Sequence, residues 1–138
     1  MRRAAVVVAA VVVAGCGSSD ETPDEQHVVR DWIEALNAED HERAASFFAN
    51  GAIVEQSREF KLEDRSDAIA FNRSLPCDAS VTDVDDEGDT LLVAFRLRGG
   101  SEGGCDGGSA RVRFRFRDGK FSEWRQLPEP ATPPGDVL

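Results

Sequence analysis

The stretch Arg111-Val112-Arg113-Phe114-Arg115-Phe116-Arg117-Asp118-Gly119-Lys120-Phe121 alternates charged and apolar residues and then turns. A period of two marks a strand with one buried and one charged face. Asp-Gly at its end is a strong hairpin signal. The reading is therefore two paired strands, 109–117 and 120–127. Two registers are open. In a two-residue loop, Arg117 faces Lys120 and Trp124 points outward, opposite Arg113. Val112, Phe114, Phe116, Phe121 and Leu127 then share the core side with Glu123 and Arg125. A glycine bulge at Gly119 instead brings Trp124 inward, opposite Val112, and sends Glu123 and Arg125 out. Burying an ion pair costs several kcal/mol per ion before pairing offsets it, so the bulged register is expected.

Working back from this hairpin, residues 78–85 and 90–98 read as two more strands around the acidic turn Asp85-Asp86-Glu87-Gly88-Asp89. Before them, Asp64 caps a helix bearing Ala68, Ile69, Phe71 and Leu75, ended by Pro76. Ala52-Ile53-Val54-Glu55 and Arg58 to Leu62 are short strands. Asp40 caps a helix carrying Ala44, Ala45, Phe47 and Phe48, which is expected to stop at Asn50-Gly51. The first helix starts at Thr22-Pro23-Asp24-Glu25, read as an N-cap, a proline at the first helical position and a capping-box glutamate. Val28, Val29, Trp32, Ile33 and Leu36 form its apolar face. Two helices, two strands, a helix and four strands make an α+β domain.

This order resembles the nuclear transport factor 2-like superfamily and its SnoaL-like branch. Trp32-Ile33-Glu34-Ala35-Leu36-Asn37-Ala38-Glu39-Asp40 is similar to the family's first-helix ending. Phe47-Phe48-Ala49-Asn50-Gly51-Ala52-Ile53-Val54-Glu55 resembles its second helix entering strand one, and Arg117-Asp118-Gly119-Lys120-Phe121 its final hairpin. The resemblance spans about residues 25–127. It implies a curved antiparallel sheet wrapped on N-terminal helices into a cone with an apolar pocket. Trp32, Phe48, Gln56, Phe71, Phe95, Phe114 and Trp124 are the pocket candidates. Such a pocket serves enzymes, ligand binders and dimerisation modules, so the fold does not settle the role.

Relatives with ketosteroid isomerase chemistry carry an aspartate base at the end of strand one and a tyrosine donor on the first helix. The matching positions here are Gln56 and Trp32. An amide cannot take the proton, and an indole N–H is no comparable acid. Glu55 is a stand-in base only if it shares a face with Gln56, and alternation puts it on the other. No catalytic residue is assigned. A binding domain for a small apolar ligand or a protein partner is favoured. A SnoaL-like enzyme with unrecognised pocket residues and a dimerising accessory subunit are the alternatives.

The N-terminus speaks to location. Arg2-Arg3, the apolar run Ala4 to Ala14, and Gly15-Cys16 before a polar stretch read as a secretory signal peptide. The run is shorter than the roughly 20 residues of a spanning helix. Val13-Ala14-Gly15-Cys16 resembles the lipobox of bacterial lipoproteins. That resemblance implies cleavage after residue 15, lipidation of Cys16 and export to the cell envelope. Residues 16–24 then form a tether, and residues 128–138 an irregular tail. Losing Arg2 and Arg3, two of 16 basic residues against 26 acidic, takes the net charge from −10 to −12. Such acidity argues against nucleic acid and against electrostatic adhesion to anionic lipid.

In an oxidising compartment the remaining cysteines, Cys77 and Cys105, are expected to pair. Strand pairing about the acidic turn brings Cys77 near Arg98, just before the loop that holds Cys105. The bridge would contribute about 3 kcal/mol. Asp83-x-Asp85-x-Glu87-Gly88 opens like a calcium loop but has Ala94 at its twelfth position. His27 and His41 lack ligand spacing. Neither a metal nor a cofactor is expected. Arg96, Arg98, Arg111, Arg113, Arg115 and Arg117 share one sheet face. That face is either an anion or partner surface or a solvated face neutralised by carboxylates, with the second favoured.

Overall fold

The computed structural model describes residues 24–128. The expected signal peptide, Cys16, most of the expected tether, and residues 129–138 of the expected tail lie outside the described residues. Three α-helices and six strands follow in the order α1 (Glu25–Asn37), α2 (His41–Ala45), β1 (Phe48–Gln56), β2 (Arg58–Leu62), α3 (Arg65–Ser74), β3 (Asp78–Asp86), β4 (Thr90–Arg98), β5 (Ser109–Arg117) and β6 (Lys120–Leu127). The strands form one curved sheet in the order β2-β1-β6-β5-β4-β3. Every pair is antiparallel except β1 with β6. The α+β architecture expected from the sequence is the one found.

Each helix starts at an aspartate. Asp24 accepts from the Gln26 N–H, Asp40 from the Arg43 N–H and Asp64 from the Asp67 N–H. These side chains satisfy donors that the first helical turn leaves unpaired. The cap of α1 is thus Asp24, not Thr22, and Pro23 precedes the cap rather than opening the helix. The face of α1 that meets the sheet is Val28, Val29, Trp32, Ile33, Ala35 and Leu36, all buried.

The second helix is shorter than expected. It ends at Ala45, and Phe48, Asn50 and Gly51 belong to β1. The Phe47 carbonyl already accepts the Phe121 N–H at 2.8 Å, so cross-sheet pairing takes over where the helix was expected to continue. Gly51 has φ +80° and sits inside the stretch where the β1–β6 register shifts. A left-handed glycine serves a helix end and a strand bulge equally well; here it serves the bulge.

The last hairpin combines features of both expected registers. Arg117 faces Lys120 and Phe116 faces Phe121, so the turn is the two-residue loop. Asp118 and Gly119 take φ +52° and +75°, both positive as a type I′ turn requires. The bulge expected at Gly119 lies instead between Phe121 and Glu123. From there Trp124 pairs with Phe114, not Val112, and Arg113 with Arg125. The extra residue, Ser122, turns Trp124 inward, 4% exposed. Glu123 and Arg125 go to the outer face, which avoids the desolvation cost that favoured this outcome.

Candidate functional site

The inner face of the sheet has a closed and an open end. At the closed end Phe48, Phe114 and Phe121 pack ring to ring, with centroids 5.0 Å apart for Phe48–Phe121 and 4.8 Å for Phe114–Phe121. Phe71 of α3 adds to this cluster, 5.7 Å from Phe48. At the open end a cavity of about 250 Å³ remains. Its walls are Ile33 and Leu36 of α1, Leu75, Pro76 and Cys77 between α3 and β3, and Ala79, Phe95, Leu97, Ala110, Val112, Gln126 and Gln56 of the strands. Trp32 and Trp124 complete them.

Four of the seven pocket candidates therefore line the cavity: Trp32, Gln56, Phe95 and Trp124. Phe48, Phe71 and Phe114 do not; they are buried core residues of the aromatic cluster. An aromatic residue at an inward position fills space as readily as it borders it, and sequence does not separate the two. Ala110 and Gln126 were passed over although alternation places them inward, beside Val112 and Trp124. Small and amide residues at inward positions near strand ends were the available signal.

Polar groups at the cavity are few. The Trp32 indole Nε1–H donates to Asn72 Oδ1 at 2.8 Å, and the fully buried Asn72 donates in turn to the Ala68 carbonyl. Trp32 is therefore committed to α3 and offers no hydrogen to a substrate oxygen. Gln56 Nε2 donates to Gln126 Oε1 at 3.5 Å, a long contact. The same two glutamines border an adjoining space of about 460 Å³ with Glu55, Ser57, Leu127 and Pro128. Trp124 Nε1 is the buried side-chain polar atom without a partner among the described residues. No residue lining the 250 Å³ cavity is ionisable once Cys77 is bridged.

That bridge is present. Cys77 and Cys105 form a disulfide with Cα atoms 5.8 Å apart. It fastens the 99–108 loop to the cavity wall at Cys77. The loop folds tightly behind it: Cys105 N–H donates to Gly99 O, Gly99 N–H to Asp106 Oδ1, and Leu97 N–H to Gly108 O. Gly100 is required there, since a Cβ would stand 2.5 Å from Cys105 Sγ and its φ is +77°.

The outer face carries ions in place of rings. Arg125 bonds Glu55 at 2.8 Å, Glu59 at 2.7 Å and Glu123 at 3.0 Å. Arg115 bonds Glu123, and Arg113 bonds Glu87, each at 2.8 Å. Arg117 donates to the Asn50 carbonyl and Arg98 to the Ser80 hydroxyl. Partial burial pushes the Glu123 carboxyl up, but the bonds from Arg125 and Arg115 outweigh it and hold it below the usual range. Hydrogen bonds from Arg113 and Thr90 lower Glu87. That carboxylate, part of the stretch resembling a calcium loop, is engaged by the arginine face. Glu55, the stand-in base, is on this outer face and tied to Arg125, away from the cavity. Of the six arginines in the row, Arg113 and Arg115 are thus neutralised by carboxylates, while Arg96, Arg98, Arg111 and Arg117 have no ion pair among the described residues.

A family model for the SnoaL-like domain matches residues 29–124 of the chain. Among solved structures, a Kribbella flavida protein named as a ketosteroid isomerase aligns with TM-score 0.64 and 24% identity, over 80% of this chain and 82% of its own. An NTF2-like protein of unknown function from Cytophaga hutchinsonii aligns with TM-score 0.64 and 12% identity, over 80% and 95%. A Sinorhizobium meliloti protein named as a polyketide cyclase aligns with TM-score 0.59 and 17% identity, over 75% and 99%. At these identities the likeness is one of fold. No curated protein matches the chain.

Proposed function

The chain belongs to the family of SnoaL-like domains, and on that footing we propose that it is a non-catalytic binding domain, held at the bacterial cell envelope by a lipid on Cys16, whose cavity takes a small apolar ligand. The observation that carries this reading is the cavity wall itself: apolar, with no ionisable side chain. The two positions that would supply isomerase chemistry hold Gln56, an amide, and Trp32, whose N–H is taken by Asn72. General acid–base work needs a group that titrates near the working pH, and this wall has none. The isomerase and cyclase names of two structural relatives describe those proteins.

The anchor reading rests on Val13-Ala14-Gly15-Cys16 and the apolar run before it. It fits the direction of the fold. The start of α1 lies near the β3–β4 turn, where Glu25 feels the charge of Asp86. The end of α1 lies at the start of β3, where Asn37 bonds both backbone groups of Ala79. A chain tethered through Cys16 would enter at the closed end, leaving the cavity at the end away from the membrane. Cys16→Ser is expected to abolish acylation and leave the precursor uncleaved or the protein untethered; an intact mass of the unaltered protein that shows Cys16 without acyl chains would refute the anchor.

The cavity is tested by filling it. Ala110→Phe places a ring in the open space at small cost to the core. Native mass spectrometry of the purified full chain is expected to show a bound small molecule that the variant lacks. Fold is checked by an unchanged thermal transition. Equal occupancy in both proteins, or none in either, would overturn the reading.

A further inference from the structure

The outer face of the sheet changes character along its length. Toward the closed end Arg113 is bound to Glu87 and Arg115 to Glu123. Toward the open end Arg96, Arg98 and Arg111 form no ion pair among the described residues. Phe95 and Val112 are buried on the inner side, so alternation puts these three arginines on the outer one. Arg98 donates to the Ser80 hydroxyl, but a guanidinium has five N–H groups and most remain for a partner.

Their spacing follows the strands. Arg96 and Arg98 are two residues apart on β4, about 7 Å. Arg111 is diagonal to Arg96 on β5, since Arg96 pairs with Ser109 and Ala94 with Arg111. The next outward residue of β4 is Ala94, whose side chain ends at Cβ. A groove of about 200 Å³ opens there, bordered by Thr82, Arg111, Leu127 and Pro128. Along β4 the face therefore reads cation, cation, apolar hollow. A partner must also be narrow. Asp78, Asp83 and Asp85 of β3 share this face, opposite Arg98, Ala94 and Leu92, and they repel a broad anionic surface such as a membrane. An extended polypeptide lying along β4 avoids them, and its side chains recur on one side at the same interval of about 7 Å. The chain's net charge of −10 does not prevent this approach, because salt screens exposed charges beyond about 8–10 Å.

We propose that this face docks an extended acidic segment of a partner protein. Carboxylates at positions i and i+2 meet Arg98 and Arg96, the second shared with Arg111, and an apolar side chain at i+4 enters the hollow over Ala94. The surface lies across the sheet from the cavity and does not depend on what the cavity holds. The probe is a labelled peptide, Ser-Asp-Thr-Asp-Thr-Leu-Ser, titrated into the full chain by fluorescence anisotropy. Its isomer with adjacent aspartates, Ser-Asp-Asp-Thr-Thr-Leu-Ser, has the same charge. The isomer is expected to bind about threefold to fivefold more weakly, the value of one exposed pair. Arg96→Gln should weaken the first peptide to the same degree and erase the preference between the two. Arg117→Gln, at the other end of the face, should change neither. Replacing the probe's leucine with serine should weaken binding at every salt concentration. Equal binding of the two isomers, no saturation by the first below about 1 mM, or tighter binding of inorganic polyphosphate overturns the proposal. So does a dimer of the unliganded chain that Arg96→Gln dissociates, which would make a second copy the occupant.

Discussion

The closed end of the sheet is filled by phenylalanines, whereas the open end, built from the same strands, is lined by alanines and glutamines. On β5 the inward residues run Ala110, Val112, Phe114 and Phe116; on β6 they run from Phe121 through Trp124 to Gln126. Side-chain volume falls toward the open end along β5 and, beyond Trp124, on β6, and the cavity is the volume left over. Local composition thus makes one end a core and the other a receptacle without any change of backbone plan. The closed end should carry the stability and the open end the specificity.

The largest effect that would break this division is expected from Phe121→Ala. Phe121 is fully buried and meets Trp32, Phe48, Phe114 and Phe116. Removing a ring in such a site costs about 3–5 kcal/mol, a large part of the roughly 5–15 kcal/mol that holds a domain. Urea unfolding should show the midpoint fall with little change in slope. A loss below about 1 kcal/mol would mean that the closed end is not the keystone of the fold.

The disulfide tests the other end. Replacing Cys77 and Cys105 with serine releases a loop whose ends are 28 residues apart, at a cost of about 3 kcal/mol through the unfolded state. The local consequence sharpens the comparison. Amide exchange in the 99–108 loop and at Leu97 should speed up beyond the global loss, while amides of β5 near Phe114 follow global stability alone. Uniform acceleration across both strands would show that the bridge does not act on the open end in particular.

The strands, the presence of three helices and the caps Asp40 and Asp64 were legible because period-two alternation, aspartate caps and the Asp-Gly turn are local signals, whereas the cap of α1 was read at Thr22 and lies at Asp24. So was the cysteine pairing, which needed only the register of β3 on β4 and the export reading. What escaped was non-local. The end of α2 at Ala45 depends on the Phe47 carbonyl meeting Phe121 more than seventy residues on. The bulge at Ser122 is invisible to a rule that puts the irregularity at glycine, and it alone decides where Trp124 points. The cavity escaped in part because Phe71 and Phe114 look the same in sequence as Phe95. Whether an inward ring borders a space or fills it is settled by residues across the sheet.

The smallest expected effect concerns charge at the closed end, where α1 begins beside the acidic β3–β4 turn. Partial burial raises the Glu25 carboxyl above its ordinary value, and the charges of Asp86 and Asp24 add to the shift. A carboxyl raised on folding contributes stability below its unfolded value and loses it as pH rises through the folded value. At about pH 7 the charged Glu25 is therefore a liability, and the closed end is held by its rings despite its ions. Against this, a negative charge in the first turn of α1 is favoured by the helix dipole. Glu25→Gln removes both contributions. With the side chain largely solvated, the net gain should stay below about 1 kcal/mol. Paired urea midpoints at about pH 7 and about pH 3 isolate the net charge effect, since both contributions need an ionised Glu25 and the gain should be present at the first and absent at the second, where Glu25 is itself protonated. A variant less stable than the parent at about pH 7 would show the dipole to outweigh the crowding of Glu25, Asp24 and Asp86.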